Sequence, residues 1–222
     1  MITPPTLVLF AASLIVASAA AVIWRRRGVS GSKSLTFMFI AVALWCFFSG
    51  LETTAASDSQ RYILATFTYI GICSVAPLFL MFAVRYSNSR WRLTGWVQLV
   101  IWSIPVVTYL LALTNGYHHL IWTGISHVPT ESSTLVIWHH GPWYFAEVLW
   151  SVALCILASY HLVRVAIRAA RLYVLQSILL MAGLLVPWAG YLFFFLPNNP
   201  LAGYETTCLG FAVSALLIMM AI

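Results

Sequence analysis

Seven apolar runs, each about as long as a membrane-spanning helix, dominate this chain of 222 residues. A helix needs about 20 consecutive apolar residues to cross the hydrocarbon core of a bilayer. Backbone at that depth has no water to bind and must satisfy its own hydrogen bonds. The pattern therefore predicts an all-α, polytopic membrane protein, folded as a seven-transmembrane helix bundle. The predicted spans are residues 6–24, 35–55, 62–84, 95–113, 144–163, 172–196 and 205–222.

The composition excludes a water-soluble domain. Hydrophobic residues make up 62% of the chain, charged residues only 7%, and the mean hydropathy is +0.94, whereas soluble domains carry about 25% charged residues. The net charge of +6 comes from short basic clusters between apolar runs rather than from the single basic face that nucleic-acid binding requires. The predicted partner is the lipid bilayer, and no nucleic acid is expected.

The basic clusters also predict an orientation. Ten of the eleven Lys and Arg residues follow spans one, three and five, and the exception, Arg61, shares the loop after span two with Asp58, which we expect to offset it. Lys and Arg are costly to translocate and stay cytoplasmic, so we expect the N terminus outside the cell and the C terminus in the cytoplasm. The ten residues are Arg25, Arg26, Arg27, Lys33, Arg85, Arg90, Arg92, Arg164, Arg168 and Arg171.

One connection, residues 114–143, is about thirty residues long and lies on the predicted outer side. Two β-branched and aromatic runs, HLIWTGISHV and STLVIWHHG, flank a short polar turn within it. Such a pair is typical of a β-hairpin. We therefore expect an extracellular β-hairpin between the fourth and fifth spans, where it caps the mouth of the bundle.

Five of the six histidines lie in this outer loop, namely His118, His119, His127, His139 and His140. Neighbouring residues on a strand point to opposite faces, so at most one of each adjacent pair would share a site, and the hairpin would bring His119 and His139 together. No zinc-type ligand spacing completes such a site. Metal binding, pH sensing and a purely structural role all remain open for these histidines.

An ionisable residue inside a membrane span is a candidate functional residue because its desolvation is costly. Glu147 lies about one turn into span five, and Glu52 and Glu205 lie at outer span ends. These positions predict an acidic, aromatic-lined pocket under the hairpin, although a protonated or His-paired Glu147 would also serve a structural role. The predicted ligand-binding residues are Glu147, Trp143, Trp150, Glu52, Trp188, Tyr191, Tyr204, Glu205, His119 and His140.

Several other chemistries are excluded or find no motif. The only lysine, Lys33, lies in a loop, so no retinal Schiff base can form in the last helix. The chain has no phosphate-binding loop, no HExxH and no recognisable catalytic set, so we expect no catalysis in this chain and no cofactor. Among the prolines within spans, Pro187, between Gly183 and Gly190, is the predicted hinge.

The motifs SGLETTAAS, TYIGICSVAPLFLMFAVRY, IPVVTYLLALTNGYHHLIW, HGPWYF and LLVPWAGYLF together resemble the N-terminal seven-transmembrane sensor region of prokaryotic histidine kinases. The resemblance covers nearly the whole chain. Some positions depart from the family pattern: Glu147 stands where a His is common, Thr68 where an acidic residue is frequent, and Gly190 where Asn is frequent. Family motif positions are matched by Glu52, Tyr69, Pro77, Tyr86, Asn115, His118, His119, Trp122, Gly141, Pro142 and Gln176.

The resemblance implies one sensor domain, residues 1–222, in the cell membrane of a prokaryote. It implies that a small extracellular or membrane-borne ligand binds the bundle, and that span seven passes the signal to a cytoplasmic kinase, which would act as a homodimer. Because Ile222 ends inside an apolar helix, we expect output domains to follow. The alternatives are a small-molecule or proton-coupled transporter and a haem- or copper-binding membrane protein.

Overall fold

A computed structural model describes residues 4–25, 30–88, 91, 93–129, 134–169, 174–194 and 206–221. Helices account for most of these ranges, and one pair of strands interrupts them. The elements are α1 (Pro4–Arg25), α2 (Ser32–Thr54), α3 (Asp58–Tyr86), α4 (Gly95–Leu113), α5 (Asn115–His118), β1 (Trp122–Pro129), β2 (Thr134–His140), α6 (Pro142–Ala169), α7 (Val174–Phe194) and α8 (Thr206–Ala221).

Each of the seven predicted spans falls on one long helix, which confirms the all-α membrane class. Within the described ranges, five helices are long and apolar enough to cross a bilayer, namely α1 to α4 and the Pro142–Ile167 part of α6. Helix α8 is apolar over the shorter stretch Thr207–Met220. Membrane crossing by α7 and α8 therefore stays a prediction. The short helix α5 was not expected from the sequence.

Helix α3 is the central helix of the bundle, and 14 of its 29 residues are buried, all between Ala65 and Val84. It packs against α2 so closely at Gly71 that a Cβ atom there would lie 2.5 Å from the carbonyl oxygen of Ala41. The helix begins four residues before the predicted span. The prediction was short because Asp58 and Arg61 lower the hydropathy there, whereas a helix can continue beyond the membrane. The side chain of Ser57 accepts a hydrogen bond from the Gln60 amide and caps this N-terminus.

Contacts between helix ends define two ends of the bundle. At the end that we call the basic end, Ser30 donates to the Arg85 carbonyl at 2.9 Å and Arg85 donates to Ser34. A contact between the Ser87 hydroxyl and His161 places the last part of α6 at the same end. At the opposite end, which we call the hairpin end, the hydroxyls of Thr6 and Thr53 lie 2.6 Å apart.

The predicted hairpin is confirmed. Strands β1 and β2 pair antiparallel, with Trp122 opposite His140 and Gly124 opposite His139, so that one extra residue bulges from β1. The expected turn was residues 129–132; Pro129 instead ends β1, and residues 130–133 lie outside the described residues. The hairpin follows α5 and leads directly into α6, which places it over one end of the bundle.

Asn115 fixes the base of the hairpin. Its Oδ1 accepts hydrogen bonds from the amides of Ile121 and Trp122 at 2.9 and 3.1 Å, and its Nδ2 donates to the Trp122 carbonyl at 2.9 Å. The side chain is buried. One amide group therefore satisfies three backbone groups that no strand or helix partner serves.

Gly141 closes the base from the other side. Its amide donates to the Ile121 carbonyl at 2.8 Å, and a Cβ atom at this position would lie 2.3 Å from the carbonyl oxygen of Leu120. Only glycine lets the two chain segments approach this closely. The entry into α6 is thereby held against the entry into β1.

Candidate functional site

Five aromatic rings pack together where the hairpin meets the helices, and we call this group the hairpin cluster. Trp122 lies at centroid distances of 4.9 Å from Tyr69, 6.2 Å from Tyr62 and 5.2 Å from Trp138, and the Tyr62 and Trp138 rings lie 5.1 Å apart. Trp143, from the first turn of α6, packs at its edge. Edge-to-face aromatic pairs contribute about 0.5–1.5 kcal/mol beyond their buried area. The members are Tyr62, Tyr69, Trp122, Trp138 and Trp143.

Glu147 is buried directly beneath this cluster, with 3% of its surface exposed. Its Oε2 accepts a hydrogen bond from the Thr108 hydroxyl of α4 at 2.9 Å, and its Oε1 accepts one from the Ser151 hydroxyl at 3.0 Å. Trp143 donates from Nε1 to the same Thr108 oxygen at 2.9 Å. A continuous line of hydrogen bonds therefore joins the hairpin cluster to the carboxyl group.

Neutral hydroxyls, rather than a cation, hold this carboxyl group in the described part of the chain. Each carboxyl oxygen retains a second lone pair. A buried carboxyl with spare acceptor capacity suits a ligand that carries hydrogen-bond donors or a positive charge, because burial strengthens such contacts. The side chains around it suggest no covalent chemistry.

Glu52 lies at the opposite edge of the hairpin cluster. Its Oε1 accepts a hydrogen bond from Trp138 Nε1 at 2.8 Å, so this carboxylate ties the hairpin to α2. The nearby Arg61 donates to the carbonyls of Glu52 and Ala55 at 3.4 and 3.0 Å, where α2 ends. Asp58 instead contacts His127 of β1 at 3.2 Å. The expected offset of Arg61 by Asp58 is thus replaced by a cap on the end of α2.

Two predicted tryptophans contact neighbouring helices below this level. Trp150 lies one turn further along α6 than Glu147 and donates from Nε1 to the Ile101 carbonyl of α4 at 3.2 Å. Trp188 of α7 donates to the Ser159 hydroxyl at 3.3 Å, and Ser159 lies about 18 Å along α6 from Glu147. Trp150 therefore adjoins the site, and Trp188 connects α6 with α7 nearer the basic end.

The remaining predicted site residues divide into two groups. Tyr204 and Glu205 lie outside the described residues, and Tyr191 is described only as part of α7. His119 is exposed and ends α5 in the left-handed conformation, at φ 53°. His140 stacks on Tyr144 with centroids 3.6 Å apart. Burial, together with the smaller effect of the neighbouring His139, lowers the pKa of His140 to about 4.

The other loop histidines have separate partners. His139 contacts the Ser126 hydroxyl across the hairpin, His127 contacts Asp58, and His118 contacts the Thr114 hydroxyl at 3.1 Å. Over the ranges that the structure describes, no three His, Cys, Asp or Glu side chains group as ligands for a metal ion. The four cysteines, all in described helices, are buried thiols.

Sequence reasoning missed the two hydroxyls that hold Glu147. Ser151 follows Glu147 by four residues, and residues at that spacing share one helix face, so this partner was within reach of a pattern argument. Thr108 comes from α4, and nothing in the sequence pairs it with α6. Asn115 was noticed only as a motif residue, without the role that its three hydrogen bonds give it.

Comparison with known families gives one match over nearly the whole chain. A family model described as the N-terminal 7TM region of histidine kinase matches residues 7–222. A comparison with curated proteins found no significant match.

Proposed function

Because the chain belongs to the family of N-terminal seven-transmembrane regions of histidine kinases, we propose that it is the ligand-sensing part of a two-component sensor kinase. The chain itself is a multi-pass sensor region and not the catalytic part. A small extracellular or membrane-borne molecule would bind at Glu147 under the hairpin. The response would reach a cytoplasmic kinase, acting as a homodimer, through α8.

The buried carboxyl group of Glu147 is the observation that carries this proposal. It lies in the apolar helix α6 and accepts only hydroxyl donors among the described residues. The indole N–H groups of Trp138 and Trp143 in the cluster beside it already have protein partners. A donor or cationic group on a ligand would add to these contacts without displacing any of them. Signalling then requires that the ligand bind two arrangements of the bundle with different affinities.

The positions of the basic residues support a proposed orientation. The predicted cytoplasmic clusters adjoin the basic end, where Arg85 lies beside the start of α2, whereas Glu52 and the hairpin lie at the opposite end. The positive-inside rule assigns the basic end to the cytoplasm. The hairpin then faces the outside of a prokaryotic cell membrane, and ligands reach the site without crossing the bilayer.

A binding screen tests the site. The purified chain in detergent would be heated with a panel of small amphipathic amines and neutral amphiphiles, and compounds that raise the melting temperature would be measured again on two variants. We expect Glu147→Gln to lose the stabilisation and Asp58→Asn, an exposed carboxylate, to keep it. Hits that stabilise Glu147→Gln as strongly as the parent protein would refute the assignment.

An accessibility experiment tests the orientation. Tyr117, at the hairpin end, is 93% exposed, and Lys33, at the basic end, is also exposed. We expect a membrane-impermeant maleimide to label Tyr117→Cys on intact cells and Lys33→Cys only after permeabilisation, while the four buried native thiols react little. The reverse pattern would overturn the proposed topology.

A further inference from the structure

Pro105 and Pro187 are two of the three prolines inside the described helices, the third being Pro77 of α3, and each of the two leaves a carbonyl group without its usual donor. Proline has no amide N–H, so the carbonyl four residues earlier loses its helical hydrogen bond. For Pro105 in α4 that carbonyl belongs to Ile101, and for Pro187 in α7 it belongs to Gly183. At membrane depth a carbonyl without a donor is costly, because no water replaces the missing partner.

In both cases a side chain from a neighbouring helix in the bundle supplies the missing donor. Trp150 of α6 donates to the Ile101 carbonyl, and Ser214 of α8 donates to the Gly183 carbonyl. Ser214 is 2% exposed. The donors differ in type and lie on different helices, but each meets a carbonyl that proline has left without its backbone partner.

The contact at Gly183 is also sterically close. A Cβ atom on Gly183 would lie 3.1 Å from Ile218 Cγ1 and 3.2 Å from the Ser214 carbonyl oxygen. Glycine therefore lets α8 approach α7 at the turn where the proline weakens α7. Proline bends a helix at such a turn, and the residue after Pro187, Trp188, bonds to Ser159 of α6, so this turn of α7 contacts α6 as well as α8.

We propose that the Ser214 hydroxyl is the positioning group that couples the proline bend of α7 to α8. A change in the bend moves the Gly183 carbonyl, and α8 must either follow it or lose the bond. Movement in α6 reaches the bend through Trp188 and leaves it through Ser214. The inference rests on the proposed function only for the statement that α8 carries the output signal.

A double-mutant cycle tests the bond without any ligand or kinase. Ser214→Ala leaves the Gly183 carbonyl without a donor, whereas Pro187→Ala supplies a backbone N–H that makes the serine redundant. In mixed SDS micelles we expect Ser214→Ala to raise the unfolded-to-folded ratio of the chain roughly tenfold. In the Pro187→Ala background the same substitution should change that ratio by less than about twofold.

Ser13→Ala is the matched control. Ser13 also donates across helices, to the Ala43 carbonyl at 2.8 Å, but the residue four positions later, Phe47, has an amide that serves that carbonyl. We expect little effect of Ser13→Ala in either background. An equal loss from Ser214→Ala with and without Pro187, or no loss at all, would overturn the proposal.

Two further measurements separate coupling from simple stabilisation. Spin labels at the exposed positions Leu185 and Val213 should report a broader distribution of α7–α8 distances in Ser214→Ala than in the parent protein. In the Pro187→Ala background, adding Ser214→Ala should leave the width of that distribution unchanged. In the full-length protein, Ser214→Ala should shift basal autophosphorylation at least about twofold, and Ser13→Ala should not. Unchanged distances or unchanged output in Ser214→Ala refute coupling. A full-length protein without any kinase output would refute the proposed function and leave the cycle intact.

Discussion

Asn115 should be the most sensitive single position for the hairpin. Replacing it with alanine removes three hydrogen bonds of 2.9 to 3.1 Å and leaves two buried amides and a carbonyl without partners. Each buried group costs about 1 kcal/mol when it loses its bond, so the base of the hairpin should lose about 3 kcal/mol. That difference corresponds to a roughly 150-fold change in a local opening equilibrium.

Hydrogen exchange measures this opening directly. The amides of Ile121 and Trp122 should exchange roughly two orders of magnitude faster in Asn115→Ala, since exchange of these groups follows local opening. Thr114→Ala is the matched control, because the exposed Thr114 hydroxyl bonds to the Leu110 carbonyl within its own helix. If both variants exchanged at similar rates, the anchoring role of Asn115 would be wrong.

Three further outcomes are expected. In SDS unfolding, Gly141→Ala should destabilise the chain by about 3 kcal/mol, because the added Cβ would meet the Leu120 carbonyl at 2.3 Å. Gly124→Ala, with open space around it, should be nearly neutral in the same assay. Thr108→Val should cost about 2–3 kcal/mol in the same assay, since it removes both the donor to Glu147 and the acceptor of the Trp143 indole; an unchanged transition would contradict the geometry. Burial lowers the pKa of His140 from 6.5 to about 4, so the unfolded chain binds the proton first as pH falls. The difference in unfolding free energy between the parent protein and His140→Phe should therefore decline as pH falls from 6.5 to 4, by at most about 3 kcal/mol.

The helices were predictable because a bilayer imposes one requirement on every span. Run length alone located all seven long helices, and the prediction for α4 matches its bounds, Gly95–Leu113. Errors arose where a helix leaves the membrane, as at Asp58, because polar residues there are compatible with helix but not with lipid. The hairpin was predictable because two β-branched and aromatic runs flank a polar turn.

The site was less predictable because its key contacts join distant parts of the chain. Glu147 was identified from the sequence because an ionisable group is costly inside a membrane. Thr108, however, lies 39 residues away, and no local pattern relates the two. Trp138 and Glu52 are 86 residues apart and meet only because the hairpin folds back over α2. Trp122 and Trp138 pack with Tyr62 and Tyr69 of α3 into one cluster, and the strand pattern alone did not predict these contacts.

The length of α3 affects how a ligand would be delivered. Its 29 residues extend about 43 Å, and even with an average tilt of about 20° the helix is about 10 Å longer than a hydrocarbon core of about 30 Å. We therefore expect its N-terminal turn, which holds the hairpin through Asp58 and Tyr62, to lie among the lipid headgroups. Amphipathic molecules concentrate in that layer, so the apparent potency of a ligand should follow its partitioning into the headgroup region as well as its fit to Glu147. Homologous compounds that differ only in chain length would then rank by membrane affinity.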